Sequence, residues 1–389
     1  MTRSEEVKGL NLEVLAWARQ MAGHSIESVA QSFKKEPAVI EAWESGEAVP
    51  TYVQLEKLAY KIYKRPIAIF FFPAPPAEPE PEGFFRTLPG SEFEKLDPDT
   101  RYKIRKAYGF RLSLIELHDS TNPADRKIFR DLVFSGETEV EEGVASVRTH
   151  LGVSLDDQKE WKDATEALKG WREAFEEVGI YVFKDNFKQD VISGFCLSDD
   201  EFPLIMVNNS TSHTRQIFTL IHELAHILWR TSGMTHQDDT YISSLEHSTQ
   251  TVEVFCNRFA GEFLVPSYDL RKTLEASDVQ DGTASLSSVS RLADLYNVSR
   301  EVILRKFVEQ GLFPEATYRE TVAAWRDRSK QSERGGGNYY ATQAMYLGKK
   351  YLQLVFSRYY QGRASLEEVA DFLNVKAKNV PGLEEYALK

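Results

Sequence analysis

Two histidines four residues apart inside an apolar helical pattern constrain this 389-residue chain more than any other feature. The segment is His222-Glu223-Leu224-Ala225-His226. On a helix, side chains at i and i+4 lie one above the other, so both imidazoles reach one metal ion. Glu223 points about 100° around the axis and can touch a water beside the metal without being a ligand. Phe218, Ile221, Ala225 and Trp229 recur at helical spacing alongside the pair, while Leu220, Leu224, Ile227 and Leu228 make the other faces apolar. A helix apolar nearly all round is buried, and polar side chains inside it need polar partners. The spacing therefore implies a zinc centre arranged for hydrolysis. Two core histidines hydrogen-bonded to backbone are the plainer alternative.

A catalytic zinc takes a third protein ligand and keeps one position open for water. Glu253 is the candidate, on a second helix that stops near Val265-Pro266 because proline cannot continue it. Phe255, Phe259 and Phe263 form the apolar stripe of that helix. Cys256 follows Glu253 by one turn, close enough to compete as a ligand, although a buried, inert thiol is the simpler reading. His236 and His247 lie in the connecting segment. They are spare candidates for a ligand or for stabilising an intermediate, against the simpler reading of two solvated loop histidines.

Taken together, Arg215-Gln216-x-Phe218-Thr219-x-x-His222-Glu223-x-x-His226, then Glu253-x-x-x-Asn257-x-Phe259-Ala260 and Leu264-Val265-Pro266, resembles the ImmA/IrrE family of bacterial metallopeptidases. The resemblance implies zinc ligands at His222, His226 and Glu253, with Glu223 as general base. It also implies a cytoplasmic endopeptidase that cuts a helix-turn-helix repressor. Cys256 departs from the family pattern, where a small residue such as alanine is expected.

Upstream of the motif, Ile180–Phe183, Ile192–Leu197 and Leu204–Asn208 read as three short strands bounded by Asp- and Asn-rich turns. Such a small sheet is the usual scaffold of this type of peptidase, where an edge strand can pair with substrate backbone. Asn208-Asn209-Ser210 is expected to supply the turn and a cap for the motif helix. Residues 91–135 read as helical, with Tyr102, Ile104, Tyr108, Leu112, Ile115 and Leu117 as apolar positions, and a further helix runs from about Asp157 to Val178.

The first seventy residues read as short helices, Leu12–Ala22, Ser25–Phe33, Pro37–Trp43 and Tyr52–Tyr63, broken at Gly23, Lys34-Lys35 and Ser45-Gly46, with a Thr51/Gln54 capping box. Ser25-Ile26-x-x-Val29-Ala30, Val39-Ile40-x-x-Trp43-Glu44-x-Gly46 and Pro50-Thr51-x-x-x-Leu55-x-x-Leu58-Ala59 resemble the repressor-type helix-turn-helix of the XRE superfamily. Residues 1–72 carry nine Lys/Arg against nine Asp/Glu. DNA affinity rests heavily on phosphate neutralisation, and the third helix offers no Arg, Asn or Gln to base edges. Lys34, Lys35, Lys61, Lys64 and Arg65 could form a phosphate-facing rim, but protein recognition is favoured over operator DNA.

The expected organisation is mainly α with an α+β core. A helical helix-turn-helix domain covers residues 1–72, and a Pro-rich acidic linker covers 73–90. A zincin-like peptidase domain with a trailing helical module, Leu286–Tyr296 and Val298–Phe307, spans 91–325. Beyond the breaker Gly335-Gly336-Gly337, a tail at 338–389 reads as two helices packed on the core, one led by Tyr346 and one capped by Ser365-Leu366-Glu367-Glu368.

Composition narrows the setting. Two cysteines, Cys196 and Cys256, argue against a disulfide-built secreted protein. Met1–Glu6 carry acid and no apolar core, unlike a secretory leader. The longest apolar run, Pro66–Ala77, is too short to span a bilayer. The expected location is the cytoplasm, and a net charge of −12 disfavours generic nucleic-acid binding. Two function classes remain: a zinc endopeptidase acting on a helix-turn-helix repressor or a toxin-antitoxin component, or an antitoxin or transcriptional regulator that binds a protein or operator DNA with little proteolysis. An acid at Glu223 favours the enzyme, because a structural zinc site has no use for it.

Overall fold

A computed structural model describes residues 6–78, 85, 95–189, 191–236, 242, 245–275, 286–329 and 338–388. Met1–Glu5, most of the linker after Glu78 and the triple glycine at 335–337 lie outside the described residues. The chain divides into two compact units, residues 1–106 and 107–389.

In the first unit, local signals decide the helix ends. Helices α1 (Leu12–Met21), α2 (Ile26–Phe33), α3 (Pro37–Ser45) and α4 (Tyr52–Lys57) stand at the expected places. Asn11 and Ser25 cap α1 and α2 with their side chains, and Thr51 and Gln54 form the reciprocal capping box of α4. Gly46, at φ +85°, ends α3 in the left-handed region where a Cβ is penalised. The last expected helix widens into π-type turns over Leu58–Tyr63, and Ile67–Phe71 forms a 3-10 helix.

Val14, Leu15, Val29, Ile40, Trp43, Leu55, Leu58, Tyr63 and Phe70 make this unit's core. Only Phe70 of the aromatic run is buried there; Phe71 and Phe72 are exposed. Arg65 corrects the proposed basic rim. It is buried, lies over the Trp17 ring and holds Glu78 through both guanidinium nitrogens at 2.5 and 2.8 Å. Glu78, in the segment read as a Pro-rich acidic linker, is therefore anchored.

Helix α5 (Pro98–Leu117) replaces the long helical reading of 91–135. It ends where Asp119 and Ser120 adopt left-handed backbone, and a single turn, α6 (Ile128–Asp131), follows Pro123. Of the apolar positions read in the sequence, Ile104 and Leu117 are buried but Leu112 faces solvent, while Phe110 and Leu114, not singled out, are also buried. Helix α7 (Val140–Leu151) went unanticipated. The helix expected from Asp157 is two, α8 (Leu155–Glu160) and α9 (Ala164–Glu177), because the Asp163 side chain accepts from the Thr165 and Glu166 amides and starts a new helix.

Strands β1 (Tyr181–Asp185), β2 (Ile192–Leu197) and β3 (Leu204–Asn208) form a sheet with a fourth, unanticipated strand, β4 (Met234–His236). The order is β1-β3-β2-β4, with β1 parallel to β3 and both other pairs antiparallel. Between β3 and β4 runs the motif helix α10 (His213–Leu228), and after β4 comes α11 (His247–Leu264). The first three strands are buried throughout, as expected for a sheet covered on both faces. Val182, Cys196, Ile205 and Val207 pack with the helices that include α9, α10 and α11. Phe183 instead stacks on Phe110 at 4.4 Å and meets Tyr351 edge-on at 5.0 Å.

Helices α12 (Ser267–Glu275), α13 (Leu286–Tyr296), α14 (Arg300–Glu309) and α15 (Glu315–Ser329) follow, the middle pair close to the expected trailing module. The tail has four helices among the described residues rather than two: α16 (Tyr339–Leu347), α17 (Lys349–Tyr360), α18 (Leu366–Phe372) and α19 (Val380–Leu388). It packs on the core through Tyr351 and through Arg172, which donates to the carbonyls of Met345, Tyr346 and Val182. Gly348 leaves room for that guanidinium, since a Cβ there would lie 2.3 Å from it.

Trp171 is fully buried, edge-on to Trp161 at 5.0 Å and against Phe263 at 5.2 Å. Trp171→Ala should cost about 3–5 kcal/mol through lost burial and the cavity left behind. Urea denaturation of the full chain, followed by far-ultraviolet circular dichroism, measures the loss.

Candidate metal centre

Ser212 starts α10 by accepting from the Arg215 amide, which corrects the expectation of a cap from Asn208–Ser210. Asn208 instead braces the turns on either side, accepting from the Phe187 and Ser210 amides and donating to the Ile192 carbonyl. Arg215, one turn into the helix, ties α10 to the sheet by donating to Ser193 Oγ at 3.0 Å and to the His236 carbonyl. The second half of α10 is buried on all sides, as its composition requires.

The three expected ligand side chains come together from α10 and α11. His222 Nε2 lies 3.1 Å from His226 Nε2 and 3.4 Å from Glu253 Oε2, and His226 Nε2 lies 3.3 Å from Glu253 Oε1. All three side chains are at most 1% exposed. Among the described residues, this is the group of His, Cys, Asp and Glu whose ligand atoms fall within 4.8 Å of one another.

Hydrogen bonds on the far side of each ring set which nitrogen faces inward. His222 Nδ1 is 3.1 Å from Asn257 Oδ1, an acceptor. His226 Nδ1 is 3.3 Å from Thr231 Oγ1, whose own proton goes to the His226 carbonyl. Both Nδ1 atoms then carry the hydrogen, and both Nε2 lone pairs point at each other and at a carboxylate. Three electron-rich atoms that close in an apolar interior call for a cation between them. Ligand atoms about 2.0–2.1 Å from a tetrahedral ion sit about 3.3 Å apart, so the observed spacings fit a metal. With no ion between them, burial would raise the Glu253 carboxyl, but the charge of a protonated His226 and hydrogen bonds from both imidazoles outweigh it and hold Glu253 well below the usual carboxylate range. The site's acid is anionic.

Glu223 leaves the helix towards β4. Its Oε1 accepts from the Thr235 amide at 3.1 Å and the Thr235 hydroxyl at 2.5 Å. Its Oε2 is buried and has no hydrogen-bond partner among the described residues. One carboxylate oxygen is thus anchored on Thr235, and the buried carboxylate also has the Cys196 thiol beside it.

Residues 175–308 match the family model Peptidase_M78, the IrrE N-terminal-like domain. That span opens inside α9 and closes inside α14, so it contains the sheet, both helices of the centre and all four residues. The match is to a peptidase family, and it agrees with the resemblance read from the motif. No curated protein matches the chain.

The remaining candidates stay outside the ligand group. His247 is exposed in the first turn of α11, and His236 ends β4. Cys256 is wholly buried beside His226; burial raises its thiol pKa and His226 pulls it the other way. Cys196 is likewise buried; burial and then the Glu223 charge hold it well above the ordinary thiol value, and it accepts from the Gly233 amide at 3.2 Å.

Sequence reasoning missed Thr231, Thr235 and Gly233, which support the centre from the turn after α10 and from β4. A three-residue strand gives too little alternation to read, and a threonine in a loop carries no metal signature. Gly233 lies flat against the His226 ring, where a Cβ would come within 2.4–2.7 Å of ring atoms. Gly233→Ala must push that ring aside. Metal affinity, measured by chelator competition, should fall about 10- to 100-fold, as for other losses of ligand support, while circular dichroism stays unchanged.

Proposed function

We propose that this chain is a zinc-dependent endopeptidase, with His222, His226 and Glu253 as ligands and Glu223 as general base. The observation that carries the reading is Glu223. A purely structural ion needs no neighbouring carboxylate held by one oxygen with the other left unpartnered. Zinc, when bound, lowers the pKa of a coordinated water from about 15.7 towards about 7 and polarises the peptide carbonyl. Glu223 Oε2 accepts the proton of the attacking water and delivers it to the departing amine, while Thr235 fixes the angle at which it does so. Strand β4, at the end of the described sheet, lies beside Glu223, where an extended peptide could add as a further strand.

For the substrate we propose a helix-turn-helix repressor or a toxin-antitoxin component in the cytoplasm, captured with help from a helix-turn-helix-like domain in residues 1–72. Supporting a protein partner, several of that domain's cations are already engaged within the first unit. Arg19 pairs with Glu44 at 2.7 Å, Lys57 donates to the Ser32 carbonyl at 2.5 Å, and Arg65 holds Glu78. Of the five residues of the basic rim, Arg65 is thereby withdrawn, and Lys34, Lys35, Lys61 and Lys64 remain. No helix among the described residues is long and apolar enough to cross a membrane.

A second reading is an antitoxin or transcriptional regulator in which the metal is structural. Its support is burial: His222, Glu223, His226 and Glu253 are at most 1% exposed.

Two substitutions separate the readings. Glu253→Ala should lose most of the zinc found by elemental analysis, because two imidazoles alone hold it poorly; undiminished zinc would remove Glu253 from the site. Glu223→Gln should keep the zinc and lower cleavage by about 10²- to 10⁴-fold, since the amide fills the same volume but accepts no proton. Equal cleavage by Glu223→Gln would overturn its assignment as base, and a wild-type chain that binds partner without cutting it would favour the regulator. For the N-terminal domain, DNA from the protein's own promoter should bind weakly at all salt concentrations. Tight, sequence-selective association that falls steeply with salt would instead mark an operator-binding domain.

A further inference from the structure

The carboxyl ends of the parallel strands β1 and β3 meet the first turns of two helices, apart from the half of α10 that carries the histidines. Lys184 stands opposite Val207 and Asp185 opposite Asn208, and the Asn209 amide donates to the Asp185 carbonyl at 2.7 Å where the chain turns towards α10. Side chains alternate along a strand. Phe183 faces Phe110, whereas Lys184 shares the face of Val182, which packs with α9 and α10.

Lys184 is 6% exposed, and among the described residues it makes neither a hydrogen bond nor an ion pair. Burial, and then the charge of Arg172, push its ammonium down to about 7. Arg172 offers no relief, being a cation already held by Glu176 and three main-chain carbonyls. The Lys184 charge reaches His213, the first residue of α10. Burial and then Lys184 lower the His213 imidazole pKa, with Asp163 opposing. His213 Nδ1 also lies 3.1 Å from Thr165 Oγ1 in the first turn of α9.

Of the two helix ends, α9 is already closed by Asp163, which accepts from the Thr165 and Glu166 amides. Helix α10 has no acidic residue in its first turn, and its Ser212 cap accepts from Arg215 alone among the backbone amides. The amides of His213 and Thr214 therefore point out of the helix end as donors. A mostly buried lysine side chain without an ion-pair partner and a helix end with no acid of its own thus lie at the same end of the sheet.

We propose that Lys184, His213 and the first-turn amides of α10 form a binding site for a phosphate-class oxyanion. The anion supplies the counter-charge that Lys184 lacks and accepts from the amides at the positive end of the α10 dipole. A tetrahedral oxyanion presents oxygens in the diverging directions from which a strand side chain and a helix end approach. The site is independent of the zinc chemistry proposed above.

The test uses the full chain with inorganic phosphate as the probe. Lysines are acetylated by a water-soluble active ester at fixed ionic strength and read residue by residue by mass spectrometry. Replacing chloride with phosphate should slow modification of Lys184 several-fold and leave the exposed Lys34 and Lys61 unchanged. Calorimetric phosphate affinity should fall about tenfold or more in Lys184→Met, the loss of one charge-assisted hydrogen bond. Adenosine monophosphate in place of phosphate tells the source: protection by both assigns a phosphomonoester, and protection by phosphate alone assigns the free ion. A Lys184 labelling rate indifferent to phosphate, or unweakened binding by Lys184→Met, overturns the site. The labelling arm uses the unaltered chain and decides the matter even if the variant fails to fold.

Discussion

The convergence of two imidazoles and one carboxylate within 3.1–3.4 Å, inside an apolar interior, is the interaction on which the second unit's organisation depends. Polar atoms so placed are costly unless each has a partner. Asn257 and Thr231 supply partners on the outer side of the rings, and a cation would supply one on the inner side. Around this group the chain is almost wholly apolar. Phe259, Phe263, Leu220 and Leu224 are fully buried in the core between α10 and α11, whose packing brings His222, His226 and Glu253 together.

The sheet contributes orientation as well as packing. Strand β2 comes close to α10 at Gly194, where a Cβ would lie 2.7 Å from Thr219 and from the Met206 carbonyl. That close approach brings β4, paired to β2, near enough for Thr235 to grip Glu223 by its amide and its hydroxyl. Arg215 clips the far end of β4 back onto the helix through the His236 carbonyl. The carboxylate is thus aimed by a strand on which no residue would be picked out as functional by type. On the opposite face of the sheet, Tyr351 and Phe110 cover Phe183, so the C-terminal helices complete the second layer rather than trailing from the core.

Local patterning was read well wherever capping and periodicity act within a few residues. Helices α1 to α3, the start of α4, the motif helix α10, the end of α11 and the three longer strands stand within a few residues of their expected bounds, because Asn11, Ser25, Thr51, Gly46 and Pro266 act on the backbone beside them, whereas His247, read as a loop residue, begins α11. The misreadings share a cause. Asp163 could equally have been a residue of a continuous helix, and Leu112 lies among apolar residues that fit two adjacent stripes. Both ambiguities are resolved by what packs alongside, which a single helical period does not reveal.

The spacing of His222 and His226 by itself put two imidazoles on one face, because i and i+4 side chains share a helix face whatever the rest of the chain does, and it left Glu253 a candidate on a second helix that folding then set beside them. Tertiary structure alone decided how each was held. It chose the inward nitrogen of both rings through Asn257 and Thr231, set Gly233 against His226, anchored one oxygen of Glu223 on Thr235 and buried Lys184 without a counter-ion. These contacts join residues of different elements through hydroxyls, amides and a missing Cβ. Such groups carry no distinctive pattern along a chain, and they acquire a role only when folding sets one element against another.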